Sequence, residues 1–138
     1  MEVICVVLGK DVDRASYQGH FGDAPLFETY HIRSTGAVER QREFANQQRE
    51  TDECHGSTGK MGAILAGIPE ADCVIASRMS PNFKKIATTS VVQPVIAEAR
   101  AMEPLLRLLG ENFEFLASLV ERRKAGERPA DIPVLKEV

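Results

Sequence analysis

Val3 to Leu8, VICVVL, is an uninterrupted apolar run rich in β-branched residues. A strand with one wet face alternates polar and apolar side chains, so a run without alternation needs cover on both faces. Such a strand belongs inside a sheet with helices above and below it. Cys73-Val74-Ile75-Ala76, approached through Ile68-Pro69, is a second run of the same kind. Leu26 to Arg33, LFETYHIR, has the aromatic and β-branched content of another strand. After the turn signal Ser34-Thr35-Gly36, Ala37 to Phe44 alternates through Val38, Arg40, Arg42 and Phe44 and reads as a solvent-facing outer strand. The overlapping ERQREFANQQRE would also make a helix. Val91 to Ile96 reads as the last strand, with Pro94 pointing to an edge or a strand end.

Helix signals fill the gaps. Lys60 to Ala66 is a short helix that Ser57 or Thr58 can cap and Gly67 can end in a left-handed conformation. Ser80-Pro81 supplies an N-cap followed by proline at the first helical position and opens a helix to about Thr88. Pro104 starts a helix carrying Leu105, Leu106, Leu108 and Leu109, which Gly110 interrupts. A second helix follows, with Phe113, Leu116 and Val120 at helical spacing. Its acidic start (Glu111, Glu114) and basic end (Arg122, Arg123, Lys124) complement the helix dipole. The predicted order is β-β-β-α-β-α-β followed by C-terminal helices: an α/β fold on a five-stranded mixed sheet. Strands one to three form an antiparallel meander, and the two later strands run parallel to the first. Residues 1–100 make the main domain, 101–126 a helical extension packed on the same unit, and 127–138, with two prolines, a loosely ordered tail.

That topology gathers chemistry on one edge. The loops Gly9–Pro25, Asn46–Gly59 and Ser77–Pro81 fall outside the carboxyl ends of the parallel strands, where open α/β sheets place ligands. His20, Cys54, His55, Arg78 and Met79 converge there. Cysteine and histidine are metal ligands, and a helix N-terminus favours anions, so an anionic metal–sulfur species suits both. Lys10, Arg14, Lys60 and Arg78 are placed to surround such an anion. The plainer alternative is a glycine-rich loop whose Cys54 and His55 pack or face water, with each cation merely solvated. Cys5 and Cys73, inside strand runs, are expected to be buried and unreactive, and His31 structural.

Composition narrows the classes. A net charge of −3 gives no footing for a general nucleic-acid binder, and no run of 18 apolar residues exists to span a membrane. Three cysteines without paired spacing suggest reduced thiols in a cytoplasm. They are also too few for an ordinary four-thiolate cluster. Gly56-Ser57-Thr58-Gly59-Lys60-Met61 is not a nucleotide P-loop, which has four residues between its glycines and Ser or Thr after the lysine.

Ser16-Tyr17-Gln18-Gly19-His20-Phe21-Gly22-Asp23-Ala24-Pro25-Leu26-Phe27 resembles the S…HFG-x-A-x-x-F signature of the dinitrogenase iron–molybdenum cofactor biosynthesis family, the NifX-, NafY- and NifB-C-terminal-domain-like proteins. The resemblance continues through His55-Gly56, Asp72 to Ile75 and Met79-Ser80-Pro81, and covers roughly Met1 to Ala97. Two departures are Ser80, where glycine is usual, and Ser90-Val91 in place of Gly-Ile. There is no C-x-x-x-C-x-x-C of the kind found in the radical-enzyme half of NifB. The resemblance implies a ribonuclease H-like three-layer fold and a non-enzymatic carrier of iron–sulfur or iron–molybdenum-type clusters. It would be a cytoplasmic monomer or weak homodimer exchanging cargo with cluster donor and acceptor proteins, without nucleic acid or membrane. His20, Cys54 and His55 would be metal ligands, with Arg78 and Met79 completing the site. The rival readings are a regulatory protein-interaction module with zinc or no metal, and a metal-dependent nuclease. The latter needs clustered carboxylates on central strands, and Val3 to Leu8 has none.

Overall fold

The structure, a computed structural model, describes residues 1–46 and 58–136. One mixed sheet runs through it, with strands β1 (Val3–Lys10), β2 (Leu26–Arg33), β3 (Val38–Ala45), β4 (Cys73–Ala76), β5 (Gln93–Glu98) and β6 (Val134–Lys136). Their order across the sheet is β3-β2-β1-β4-β5-β6. β2 is antiparallel to β1 and β3 to β2, while β4 is parallel to β1, β5 to β4 and β6 to β5. The α-helices among the described residues are α1 (Thr58–Ala66), α2 (Pro81–Thr89), α3 (Met102–Glu111) and α4 (Phe113–Lys124). Among the described residues no helix is long and apolar enough to cross a membrane.

β1 is central, as its unbroken apolar run requires, and its side chains divide between two cores. Ile4, Val6 and Leu8 join Tyr30, Ile32, Cys73, Ile75, Val95 and Ala97 on the face covered by α3 and α4. Val7 joins Phe27, Val74 and Ile96 on the face covered by α1 and α2. The C-terminal stripe of Leu105, Leu108, Leu109, Phe113, Leu116 and Val120 is buried against the first of these faces.

Several expectations are corrected. The sheet has six strands, not five: residues 134–136, within the predicted loose tail, pair with β5 from Ile96 to Glu98. A three-residue strand behind two prolines carries too little periodicity to be read. Of the two readings of Pro94 the strand end holds and the free edge does not: it is the second residue of β5 and sits opposite Val74 in an internal strand. The Ile96 N–H bonds the Pro133 carbonyl at 2.9 Å, on the β6 side. Pro94, two residues earlier, turns its nitrogen to that same side before β6 begins, so no ladder bond is lost. Gly67 ends α1 without a left-handed conformation, since Gly36 and Gly126 alone among the described glycines have positive φ. Its N–H closes the helix on the Ala63 and Ile64 carbonyls instead.

Gly110 lies within α3, and the break falls at Asn112. A Cβ on Gly110 would stand 2.6 Å from the Gly36 carbonyl oxygen, so this glycine lets α3 press on the β2–β3 turn. β3 is a strand, but its alternation is not continuous. Thr29 faces Arg42 and Tyr30 faces Arg40, which leaves Gln41 as a bulge. The slip turns Arg42 and Phe44 toward α1, and Val38, Arg40 and Glu43 toward the opposite face. Arg42 then reaches Glu70 and the Gly67 carbonyl, each at 3.0 Å, and its guanidinium lies 4.6 Å from the Phe44 ring centre.

Candidate functional site

The carboxyl ends of β1, β4 and β5 form one edge, and the loop of residues 11–25 is fastened along it. Its Ser16 N–H donates to the Arg100 carbonyl beyond β5 at 3.1 Å, and Tyr17 N–H to the Gly9 carbonyl at 2.9 Å. The Ser77 hydroxyl, just past β4, donates to the Tyr17 carbonyl at 3.0 Å. From the other side the Asn46 side-chain amide donates to the Gly22 and Ala24 carbonyls, both at 2.9 Å. Each parallel strand end therefore holds the loop, and so does the end of β3.

Within the loop, the Tyr17 ring packs so closely on Gly19 that a Cβ there would lie 2.8 Å from its hydroxyl oxygen. Any larger residue would have to push that ring aside, and Gly19 is followed by half-buried His20, whose carbonyl starts a single 3-10 turn over Phe21–Asp23. Phe21 is buried, with ring centres 5.0 Å from Phe27 and 5.5 Å from Phe83 of α2. The His-Phe-Gly motif is thus an anchor, in which phenylalanine plugs the core and holds the histidine at the rim.

Arg78 and Met79 are exposed on the neighbouring 77–80 segment, Met79 to 38%. Ser80 caps α2 by accepting from the Phe83 N–H at 3.2 Å, the role its sequence position predicts. His20, Arg78 and Met79 are accordingly on loops of one edge joined by the Ser77–Tyr17 bond. Cys54 and His55, with Ser57, one of the two predicted caps, lie outside the described residues. Among the described residues, no group of three or more His, Cys, Asp or Glu could hold a metal ion. Asn46 and Tyr17, which secure the loop, escaped the sequence reading. An asparagine closing a strand before a polar stretch was the available hint, and it did not name its acceptors.

Lys10 and Arg14 are not free to surround an anion. Lys10, 6% exposed, donates to fully buried Glu28 at 2.9 Å, and Arg14 pairs with Glu43. Glu28 also accepts from the Tyr30 hydroxyl, and from Arg40 at 3.2 Å. The β3 bulge makes this possible, because a regular strand would send Arg40 and Glu43 to opposite faces. Burial alone would raise the Glu28 carboxyl; the hydrogen bonds from Tyr30, Lys10 and Arg40 outweigh it and hold the group below the ordinary carboxylate value.

Cys5 and Cys73 are 5% and 0% exposed. Burial first, then Glu70 and Asp72, pushes the Cys5 thiol up to about 12, and burial raises Cys73 as well. In a Cys54→Ser variant both should label at least about a thousandfold more slowly than an ordinary cysteine, because the thiolate is the reacting form. Thiol-reagent kinetics on the native protein check this, and fast modification of either would show that its strand opens.

A family model described as dinitrogenase iron-molybdenum cofactor matches residues 1–112, from β1 through α3. No curated protein and no solved structure matches the chain.

Proposed function

The chain belongs to the dinitrogenase iron–molybdenum cofactor family, and from that premise we propose that it is a small carrier for an anionic iron–sulfur or iron–molybdenum–sulfur cluster, or a precursor of one. Membership ties the chain to the biosynthesis or binding of that cofactor. The finer reading, carriage rather than catalysis, rests on how the family's most specific motif is used. The loop on either side of His20 is tied to the β3, β4 and β5 ends, and Phe21 is sunk in the core. The imidazole is held at a rim that also carries exposed Met79 and Arg78.

On this reading the cluster is cargo and brings its own sulfide. His20, with Cys54 and His55 from the following loop, supplies borderline nitrogen and soft sulfur to one or two open metal positions. Arg78 and the α2 N-terminus attract the polyanion without fixing it. Partial ligation is what transfer requires, since a cluster held at every valence could not be passed on. The reading includes a ribonuclease H-like fold, which the order β3-β2-β1-β4-β5 with β2 antiparallel to its neighbours supports. A nuclease on this frame would need a free carboxylate on its central strands. Glu28 is engaged by Lys10, Tyr30 and Arg40 instead. The protein would work in the cytoplasm, as a monomer or weak dimer, between cluster donor and acceptor proteins.

Anaerobic titration with a nitrogenase cofactor precursor, followed by gel filtration, tests the proposal. Wild type should carry the cluster's visible absorption through the column. His20→Ala should retain less, and the His20→Ala/Cys54→Ala double variant about tenfold less, with the melting temperature unchanged. Equal retention by wild type and the double variant would refute the site. No retention by either would refute the carrier reading.

A further inference from the structure

The distribution of unpaired positive charge shows a second property of the same edge. Among the described side chains nearly every lysine and arginine is engaged. Most hold a carboxylate, as in Lys10–Glu28, Arg42–Glu70 and Lys124–Asp72, while Arg123 and Arg128 hold backbone carbonyls. Lys85 has a partner too. Arg78, Lys84 and Arg100 are the exceptions: all three are exposed, and none has a side-chain hydrogen bond or ion pair.

They are scattered in sequence and grouped in the fold. Arg78 follows β4, Arg100 follows the adjacent β5, and Lys84 lies in the first half of α2, which starts from the β4 end. The chain as a whole is acidic, with a net charge of −3. Its uncompensated cations are nonetheless collected at the rim that carries His20 and Met79.

We infer that this rim is a docking surface for an acidic face of the protein that gives or receives the cargo. The inference rests on the carrier reading above for the identity of that partner. Two observations favour a protein surface over a single small anion. The cations extend from the α2 layer across the sheet end to the start of α3, which packs on the opposite face, so they span on the order of 10–20 Å. Met79, 38% exposed among them, adds an apolar contact. Unpaired exposed cations cost nothing to redirect toward a partner, whereas paired ones must first give up a carboxylate. Long-range attraction at this edge would speed encounter and orient the partner toward His20.

The test uses the full-length apoprotein and fluorescein-labelled decaglutamate, read by fluorescence anisotropy. Binding is expected at about 20 mM salt, where the screening length is roughly 20 Å, and should vanish near about 500 mM. The triple variant Arg78→Glu, Lys84→Glu, Arg100→Glu should bind about tenfold more weakly or worse. Its melting temperature should be unchanged, because no partner is lost. A control with the same net charge, Arg107→Glu, Arg122→Glu, Lys136→Glu, should stay within about threefold of wild type. Equal weakening by the two triple variants would overturn the proposal, leaving only net charge. Tighter binding of labelled decathymidylate than of decaglutamate would overturn it in favour of nucleic acid. No cluster enters this assay, so its failure leaves cluster retention standing, and loss of retention leaves the docking result standing.

Discussion

Glu28→Leu is expected to destabilise the fold by about 3–5 kcal/mol, the usual consequence of stripping one partner from a buried ion pair. Lys10 would remain nearly inaccessible with its hydrogen-bonded carboxylate gone. Glu43, 3.9 Å away, is already engaged by Arg14. The Tyr30 hydroxyl would lose its acceptor too. Urea midpoints with unchanged m-values give the loss, and a value below about 1 kcal/mol would show that the network is solvated. Lys10→Met combined with Glu28→Leu should recover much of it, since an apolar pair of similar volume removes both desolvation costs. The sign of the pH dependence is fixed by the lowered Glu28 pKa. Its contribution is complete above the ordinary value of 4.5 and is lost as pH falls through the lower folded value. The stability gap between wild type and Glu28→Leu should therefore narrow in acid and stay constant from pH 5 to about 8.

Arg123→Met should cost about 3 kcal/mol or more. This side chain of α4 is 1% exposed and crosses beneath the sheet end to the last turn of α2. It donates there to the carbonyls of Ile86 and Ala87, both at 2.9 Å, and of Ser90 at 2.6 Å. Those oxygens lie at the end of a helix: the Ile86 carbonyl takes the last N–H, from Ser90, and a helix leaves the carbonyls beyond it without one. A charged donor satisfying several acceptors contributes more than a neutral hydrogen bond, and methionine keeps the volume while abandoning all three. Arg123→Lys should fall between the two: the three carbonyl bonds come from one guanidinium nitrogen, and a shorter, more strongly hydrated ammonium keeps the charge but reaches them less well. Denaturant melts read the energy, and amide exchange localises it. Protection should drop in α2, which is some 30 residues away in sequence from the substitution. A loss under about 1 kcal/mol would mean that water replaces the guanidinium.

Both groups show where the sequence was legible and where it was not. Runs of apolar residues announce a buried strand directly, and β1 and β4 lie where their composition puts them. Ser80-Pro81 likewise states a helix start in two residues. Buried charge carries no such label. Arg123 stands in Arg122-Arg123-Lys124, which reads as an exposed basic helix end. The hint was spacing, for Phe113, Leu116, Val120 and Arg123 continue one stripe. Lys10 similarly extends the series Val6, Leu8, and Glu28 precedes Tyr30 and Ile32 on the same face. The alternation pointed inward while the charge suggested solvent, and only a partner across the sheet reconciles them. β3 failed differently, since one extra residue at Gln41 reverses the faces of everything before it. At the candidate site the sequence placed His20, Arg78 and Met79 on loops of one edge, as topology alone brings strand ends together. The fastenings from Asn46 and Ser77 depend on backbone carbonyls, which all residues share and no motif records.

The strand order has a consequence for a chain emerging from the ribosome. β1 is made first and ends up in the centre, and every later strand adds to an edge that already exists. β2 joins β1, β3 joins β2, β4 takes the other side of β1, and β5 and β6 follow outward. No strand has to be wedged between two earlier ones, so assembly can proceed in the order of synthesis without undoing a pairing. The exposure lies on the face that α3 and α4 will cover. Between the end of β3 and the arrival of Leu105 about 60 residues must be made, several seconds at 5–20 residues per second. During that interval Ile4, Val6, Leu8 and Ile32 form a bare apolar surface. The nascent meander is therefore the stage at which this face stays uncovered longest during synthesis.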